Sequence, residues 1–398
     1  MKIIVIGGGA AGFFTAINIA EKHPDYQVTI LEKSNKLLQK VKVSGGGRCN
    51  VTNERNTPSE LVQFYPRGQK KLHPLFKTFS TQDMANWLYN RGVETTAEED
   101  HRVFPISNSS QTVIDCFLKL AESNNIQILK NHALVKLELS DSHWVVHTTQ
   151  EAMNADKVVI ATGSSPATWK ILKETRLEMT AVVPSLFTFN IKDERIADLQ
   201  GISFERAQVK IVSTKLVEEG PLLITHWGLS GPAILKLSSW GAYELEEKKY
   251  HFEILVNYLK VASDQSRQQF QEYRNLHPKR KVFNYPLFSL PRRFWERMVE
   301  YCGISDQIPF GELSKKQVNK LLEELTQGRY QVIGKSTFKE EFVTAGGIKL
   351  SEVSLKTFEA KRFPGLYLAG EVLDIDALTG GFNFQACWSA GWVISESV

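Results

Sequence analysis

The chain is poor in cysteine, with four in 398 residues. Cys49, Cys116, Cys302 and Cys387 are scattered, without a CxxC pair or any metal-ligand spacing. That argues against a disulfide framework and a zinc site, so no metal is expected, and it suits a reducing compartment. Long hydrophobic runs are missing too. No stretch of about 18 apolar residues occurs, so no membrane-spanning helix is expected. The apolar run in MKIIVIGGGA is too short and too broken by glycine for a secretory leader. The expectation is a cytoplasmic protein with no membrane partner. Nor is there an excess of one charge: 48 Lys and Arg against 44 Asp and Glu leave +4, well short of a dedicated nucleic-acid binder. No Ser–His–Asp arrangement or nucleophile elbow is evident, so the chemistry is not expected to rest on a side-chain nucleophile.

Glycine is present, and concentrated. KIIVI, Lys2 to Ile6, is a β-branched run bounded by glycine, the pattern of a strand buried on both faces. Gly7-x-Gly9-x-x-Gly12 follows, then a helical pattern in FFTAINIAEKH and a second strand, QVTILEK, ending near Glu32. In this setting Gly7 permits the tight turn, Gly9 lets backbone approach a pyrophosphate, and Gly12 lets helix and strand pack closely. The helix start offers free N–H groups to phosphates. Glu32 can accept from the hydroxyls of an adenosine ribose and disfavours a 2′-phosphate there. The motif fits FAD and NAD equally.

The last residues decide between them. DKVVIATGSSP, Asp156 to Pro166, is another buried strand. FPGLYLAGEVLD, Phe363 to Asp374, is a further one, leading through TGGFNFQAC into a helix. A C-terminal strand, glycine turn and helix returning to the first domain is the arrangement that holds the flavin half of FAD. Asp374 is the first candidate for the ribityl hydroxyls and Glu371 the second; Gly380, Gly381 and Asn383 are placed under the pyrimidine side of the ring, where a helix N-terminus stabilises negative charge. A second complete glycine fingerprint is absent, since ATGSSP lacks the third glycine. NAD(P)H is therefore expected to dock transiently, as reductant.

Between about Pro184 and Lys260 the texture changes to short alternating segments such as SLFTFNI, AQVKIV and YHFEILV. From about Ser263 to Gln327 it becomes helical, with Ser314 reading as an N-cap, and strand character returns from Arg329. The expected organisation is a discontinuous FAD-binding domain (1–183 and 346–398), a β-rich insert (184–262 and 328–345) and a helical subdomain within it (263–327).

These segments resemble the bacterial FAD-containing, NAD(P)-linked oxidoreductases with a β-barrel insert domain, the group of aminoacetone oxidase-like and bile-acid enone reductase-like flavoproteins. The resemblance runs nearly end to end, through IGGGAAG, SGGGRCNVTN (Ser44 to Asn53), RVFPIS, THWGLSGPAIL, VTAGGI and AGEVLDID with TGGFNFQAC. It implies an α/β fold: a Rossmann-type FAD-binding domain interrupted by a β-barrel-like insert carrying a helical subdomain. It also implies that Ser44, Gly45, Gly46 and Gly47 pass close to the cofactor, with Arg48 supplying charge, Cys49 and Asn50 supplying backbone and polar contacts, and Lys40 as the basic residue before the loop. Ala10, Ala11, Lys33, Val135, Ala161, Thr162, Gly163, Gly370, Gln385 and Ala386 complete the implied cofactor-contacting set. Two departures stand out: the usual Asp-Gly before TGG is Asp376-Ala377, and the usual tyrosine of GGYN is Phe382.

The expected activity is hydride transfer from NAD(P)H through FAD to an activated C=C bond of a small molecule. An oxygen-using amine oxidase and a reductase of uracil in ribosomal RNA are the alternatives, the last drawing on the basic residues Lys279, Arg280, Lys281, Arg292, Arg293, Lys315 and Lys316. His226 reads either as an acid or base or as a residue bonded locally to hold its loop. Thr344 and Gly346 read as a return crossing beside the cofactor or as plain support. Trp227, Trp388 and Trp392 are expected to be packing residues, and Cys49, with no second thiol nearby in sequence, is not expected to be a redox partner.

Overall fold

The computed structural model describes residues 1–141, 143–259, 261–336 and 343–398. Lys260 and residues 337–342, which the expected insert boundaries include, lie outside these. The chain divides into two compact units, Met1–Val183 with Lys339–Val398, and Pro184–Phe338.

The first unit is built on a five-stranded parallel sheet. Strand β1 (Lys2–Ile6) lies between Lys157–Ile160 and β2 (Gln27–Glu32), with Leu366–Leu368 and Gln127–Lys130 at the edges. Ile3, Val5, Val158, Val159, Ile160 and Leu366 have no solvent exposure, which is why these strands read as unbroken apolar runs. Helix α1 (Ala10–Lys22) follows β1 and buries Phe13, Phe14, Ala16 and Ile17. The C-terminal helix (Phe382–Ser397) packs with it: Gly391 comes so close to Thr15 that a Cβ would lie 2.7 Å from its Oγ1. The chain therefore ends against the helix that began it.

The second unit is a closed barrel of six antiparallel strands, among them Ser203–Ile211, Val217–Ile224, His251–Asn257 and Gly328–Ser336. Burial alternates along them, as a period of two requires. Three helices, Ser263–Leu276, Arg292–Tyr301 and Lys315–Gln327, share one apolar core with the barrel through Phe294, Trp295, Leu321 and Leu325, rather than forming a core of their own. Ser314 caps the last helix in a reciprocal box with Gln317, as its sequence position suggests. The strand Val343–Ile348 pairs with Met179–Ser185 and belongs with the first unit, so residues 343–345, expected in the insert, lie with the sheet unit. Among the described residues no helix is long and apolar enough to cross a membrane.

Candidate functional site

The site lies at the C-terminal ends of the parallel strands in the first unit, where open α/β sheets take their ligands. Gly7 closes the turn after β1: its N–H donates to Leu31 O (2.8 Å), its φ is +119°, and a Cβ there would lie 2.3 Å from Ala161 O. A Cβ on Gly12 would lie 1.9 Å from Gly7 O. Both positions are closed to any other residue by the protein's own backbone.

Gly9 is different. Its backbone is extended (φ −99°, ψ −167°), a conformation open to every residue, and a Cβ would meet nothing within 4 Å. The other glycines without a left-handed backbone, Gly8, Gly12, Gly241, Gly311, Gly328 and Gly391, each have an atom within 3.0 Å of that position. Among the described residues nothing requires a glycine at Gly9, yet it stands at the N-cap of α1, whose first N–H groups have no partner within the helix. A bound group approaching the backbone would supply the missing reason.

The acid at the end of β2 is committed on its inner side. Glu32 Oε2 accepts from Gly8 N (2.9 Å), and Oε1 accepts from Ser34 N (2.9 Å) and Ser34 Oγ (3.0 Å). The carboxylate is thus fixed beside the turn with lone pairs to spare. Lys33 is exposed next to it. His132 N donates to Glu32 O, and Val135, three residues on, is an exposed residue at a β-bulge. Ala10, Ala11 and Ala161 are buried where the turn packs on the sheet.

The SGGGRCNVTN segment closes the other side. Helix α2 (Gln39–Gly47) breaks at Ser44 (ψ 146°), and Gly45, Gly46 and Gly47 follow with φ of +58°, +70° and +87°. Three consecutive left-handed residues explain why all three are glycine. Gly46 and Gly47 are exposed, and a Cβ on Gly46 would meet nothing within 4 Å. Arg48 is used locally: its guanidinium donates to Glu98 (2.6 Å) and Gly45 O (3.3 Å) and lies 4.0 Å over the Phe104 ring. It braces the loop, and its charge is shared with Glu98 rather than left for a ligand. Cys49 is buried, and burial pushes its thiol up to about 12 despite a hydrogen bond to Ser44, so no thiolate is available near neutrality.

This segment meets the C-terminal glycine turn directly. A Cβ on Gly381 would lie 2.2 Å from Thr52 O. Asn53 Nδ2 donates to Gly380 O (2.9 Å), and Trp388 Nε1 donates to Val51 O (2.8 Å). With its amide turned to satisfy both sides, Asn50 donates to Thr52 O (3.0 Å) and accepts from Gly381 N (2.9 Å). Two motifs more than 300 positions apart thus form one structure. Three of the anticipated contact residues also hold the turn together: Gln385 is wholly buried between Thr52, Phe79 O and Ser389, Asn383 exchanges two hydrogen bonds of 2.9 Å with the backbone of Ala377, and Ala386 is buried. Both N–H groups of the Gln385 amide are thus spent, whereas Asn383 keeps one N–H and one lone pair for a ligand.

Between the two sides, Glu371 pairs with Lys40 and comes within 3.6 Å of where a Cβ of Gly163 would stand. Gly370, φ +73°, packs on Ala11 and Cys387. Two oxygens here are buried without a hydrogen-bond partner: Thr162 Oγ1, one residue past the Ala161 carbonyl that closes on Gly7, and Asp374 Oδ1. The other oxygen of Asp374 accepts from Thr180 Oγ1 (2.7 Å). Orphaned oxygens of this kind are costly unless a ligand or water completes them.

The structure supplies partners that the sequence does not reveal. Asp376, fully buried, pairs with Arg67, which lies more than 300 positions earlier. Phe382 stacks on Phe64 (4.2 Å, 9°) and its carbonyl accepts from Tyr65 Oη (2.6 Å), so the position that lacks the usual tyrosine is filled by aromatic packing. Gly346 owes its glycine to support, since a Cβ would lie 2.1 Å from Ala181 O.

In the second unit, His226 is exposed at the tip of a hairpin closed by Thr225 N to Gly228 O (2.8 Å) and Trp227 N to Thr225 Oγ1 (3.2 Å). Thr225, not His226, holds that loop. Trp227 is 56% exposed and is no packing residue, because the tight turn at Gly228 leaves its ring outside the barrel. Trp388 and Trp392 do pack, the latter against Phe79 and Lys22.

The chain is 28% identical over 410 residues to the Ribosomal RNA dihydrouridine synthase of Escherichia coli (strain K12), with 99% of this chain and 97% of the relative covered. It is 25% identical over 409 residues to the 3-dehydro-bile acid delta(4,6)-reductase of Clostridium scindens, covering 100% and 98%. Its fold is similar to that of the 3-ketosteroid-delta4-(5alpha)-dehydrogenase from Rhodococcus jostii RHA1, with a TM-score of 0.52 at 12% identity, covering 100% of this chain and 97% of that one. The HI0933-like protein Rossmann domain matches residues 1–397, and the chain belongs to that family.

Proposed function

We propose that this chain is an FAD-dependent oxidoreductase that reduces a C=C bond conjugated to a carbonyl, with NAD(P)H as the electron source. The observation that carries the cofactor is Gly9: an extended glycine whose side-chain position meets no described protein atom, at the start of a helix in the crevice of a parallel sheet. The surrounding residues fit a dinucleotide. The start of α1 would receive the diphosphate, Glu32 the adenosine ribose, and Thr162 Oγ1 would gain the partner it lacks. Asp374, through its unpartnered Oδ1, and Glu371, beside Gly163, are the acceptors for the ribityl hydroxyls. Gly46 and Gly47 leave room on the opposite side, while the Asn50–Gly381 contact fixes the turn at the C-terminal helix. When bound, FAD supplies the hydride chemistry, and the protein's share is to bind, aim and exclude water.

The kind of bond reduced is suggested by the relatives. Dihydrouridine arises by saturating the C5=C6 bond of uracil, and a delta(4,6)-reductase saturates a conjugated alkene; both alkenes are polarised by a carbonyl. We favour uracil in ribosomal RNA as the substrate, on the relatives of that name at 28% identity in Escherichia coli and 25% in Haemophilus influenzae. A small-molecule enone is the second reading, supported by the bile-acid reductase at 25%.

The test begins with a visible spectrum of the purified protein; a colourless preparation that also refuses added FAD would overturn the proposal. Anaerobic mixing with NADH or NADPH should bleach the flavin, and reoxidation should be fast with the true acceptor and slow with air. Rapid reoxidation by air after reduction by an amine would instead indicate an amine oxidase.

A further inference from the structure

We propose that the basic turn from Pro278 to Tyr285 of the second unit, with Tyr273 and Arg274 of the helix before it, is a docking face for single-stranded RNA. The proposal deepens the RNA reading of the function and rests on it. The whole chain carries +4, yet between Arg267 and Arg297 eight basic side chains face only two acidic ones, Glu272 and Glu296. Charge runs on helices are usually paired with acids at neighbouring turns. Here they are not: among the described residues none of Arg274, Lys279, Arg280 and Lys281 has a carboxylate partner, and three of them are held by neutral oxygens. Arg274 donates to Gly311 O and Leu313 O (both 2.9 Å), Arg280 to Tyr273 Oη (3.0 Å) and Lys281 to Gln307 Oε1.

The turn that gathers these cations is rigid. It zips against the segment at 308–311 through Val282 N to Ile308 O (3.0 Å), Phe310 N to Arg280 O (2.9 Å) and Gly311 N to Pro278 O (2.8 Å). Val282 is fully buried and its carbonyl accepts from Trp295 Nε1 (2.8 Å), which ties the turn to the core. Like charges fixed side by side without counter-charges lower the stability of the free protein, so the arrangement calls for an anion outside it.

Aromatic rings select among anions. The Arg280 guanidinium lies 4.7 Å from the centroid of Tyr285, which is 40% exposed, and the same guanidinium is anchored on Tyr273. An aromatic face and a guanidinium plane, flanked by Lys279 and Lys281, can stack on bases while cations follow the backbone. A lipid surface would use the charges without the stacking, although Leu276, 74% exposed nearby in sequence, makes vesicles a necessary control.

The experiment uses the full chain loaded with FAD and a fluorescein-labelled oligouridine, with anisotropy read against salt. Replacing Lys279, Arg280 and Lys281 together by Ala should reduce the slope of log affinity on log salt by roughly 2, at about 0.7 per lost phosphate contact. Tyr285→Ala should weaken binding about tenfold and leave the slope unchanged. All four side chains are exposed, and unchanged thermal melting will show that the variants fold. Wild-type binding that the triple variant retains with the same slope overturns the face but leaves the RNA reading standing. Absence of wild-type binding, together with no reduction of uridine in ribosomal RNA, overturns both. A triple variant that loses only its binding to phosphatidylserine vesicles assigns the face to lipid and overturns the proposal.

Discussion

The two units use glycine differently. In the barrel unit each glycine is explained by the protein itself. Gly228 and Gly231 press on backbone, at 2.3 and 2.8 Å from a would-be Cβ, while Gly201 and Gly303 face open space but sit in left-handed turns at φ +89° and +72°. The sheet unit contains glycines of both kinds, and one more. Gly9 has neither a neighbour nor an unusual backbone. The lesson is that a glycine-rich motif is not evidence of a ligand as a whole; the evidence lies in the member that the fold does not need.

The largest effect should come from the unit without a ligand motif. Arg195 is 4% exposed, donates to Asp193 (2.8 and 2.6 Å) and Glu324 (2.6 Å), and lies 3.9 Å from the centroid of the Tyr330 ring. Arg195→Ala leaves two carboxylates half-buried and unpaired, so urea unfolding should show a loss of about 3–5 kcal/mol. The FAD spectrum of the folded protein should be unchanged. If cofactor affinity fell with stability intact, the separation drawn between the units would be wrong.

Next come the paired glycine variants. Gly12→Ala places a Cβ at 1.9 Å from Gly7 O, so helix and turn must shift apart; it should cost about 1–3 kcal/mol of stability and abolish FAD binding. Gly9→Ala should leave stability within about 0.5 kcal/mol and weaken FAD by about tenfold or more, roughly 1.4 kcal/mol, read by fluorescence titration. An alanine at Gly9 that binds FAD normally would remove the observation on which the cofactor assignment rests.

This contrast also marks what the sequence discloses. Gly7-x-Gly9-x-x-Gly12 and the acid at Glu32 are legible because a strand, a turn and a helix start are local, and each residue type answers a local demand. The Ser44–Asn53 loop is legible as costly, but its contact with Gly380 and Gly381 is not, because that contact joins distant segments. The Arg67–Asp376 pair is illegible for the same reason. Asn383 is expected at the ligand because it stands beside the glycines, and Gln385 because the resemblance implies it; that their amides also bond to Ala377 and Phe79 is invisible in the sequence. Trp227 was expected inside because tryptophan usually is, and the hairpin tip overrides that preference.

A smaller effect tests the one helix signal in the barrel unit that sequence gave in full. Ser314 accepts from Gln317 N (3.2 Å) and donates to Gln317 Oε1 (2.9 Å). Ser314→Ala should lower stability by about 1 kcal/mol, and Ser314→Asp should restore most of it. Equal loss in both variants would mean that the serine packs rather than caps.

The smallest effect at neutral pH is the thiol contribution, and it appears only in alkali. Burial pushes Cys49 and Cys387 in the sheet unit, and Cys302 in the barrel unit, up to about 12. In the unfolded chain these thiols ionise near 9, so above that pH the unfolded state holds fewer protons than the folded one. Their contribution to stability is therefore complete below pH 9 and is lost as the pH rises toward 12. The urea midpoint should fall with pH in that window. Cys302→Ser should remove the barrel unit's share of the slope, and Cys49→Ser part of the sheet unit's. Because burial is the largest cause at each thiol, with Glu371 adding a smaller push at Cys387, added salt should leave most of the slope in place; a slope that salt erases would point to a coulombic origin and would mark Cys49, in the midst of the glycine loop, as a reactive thiol.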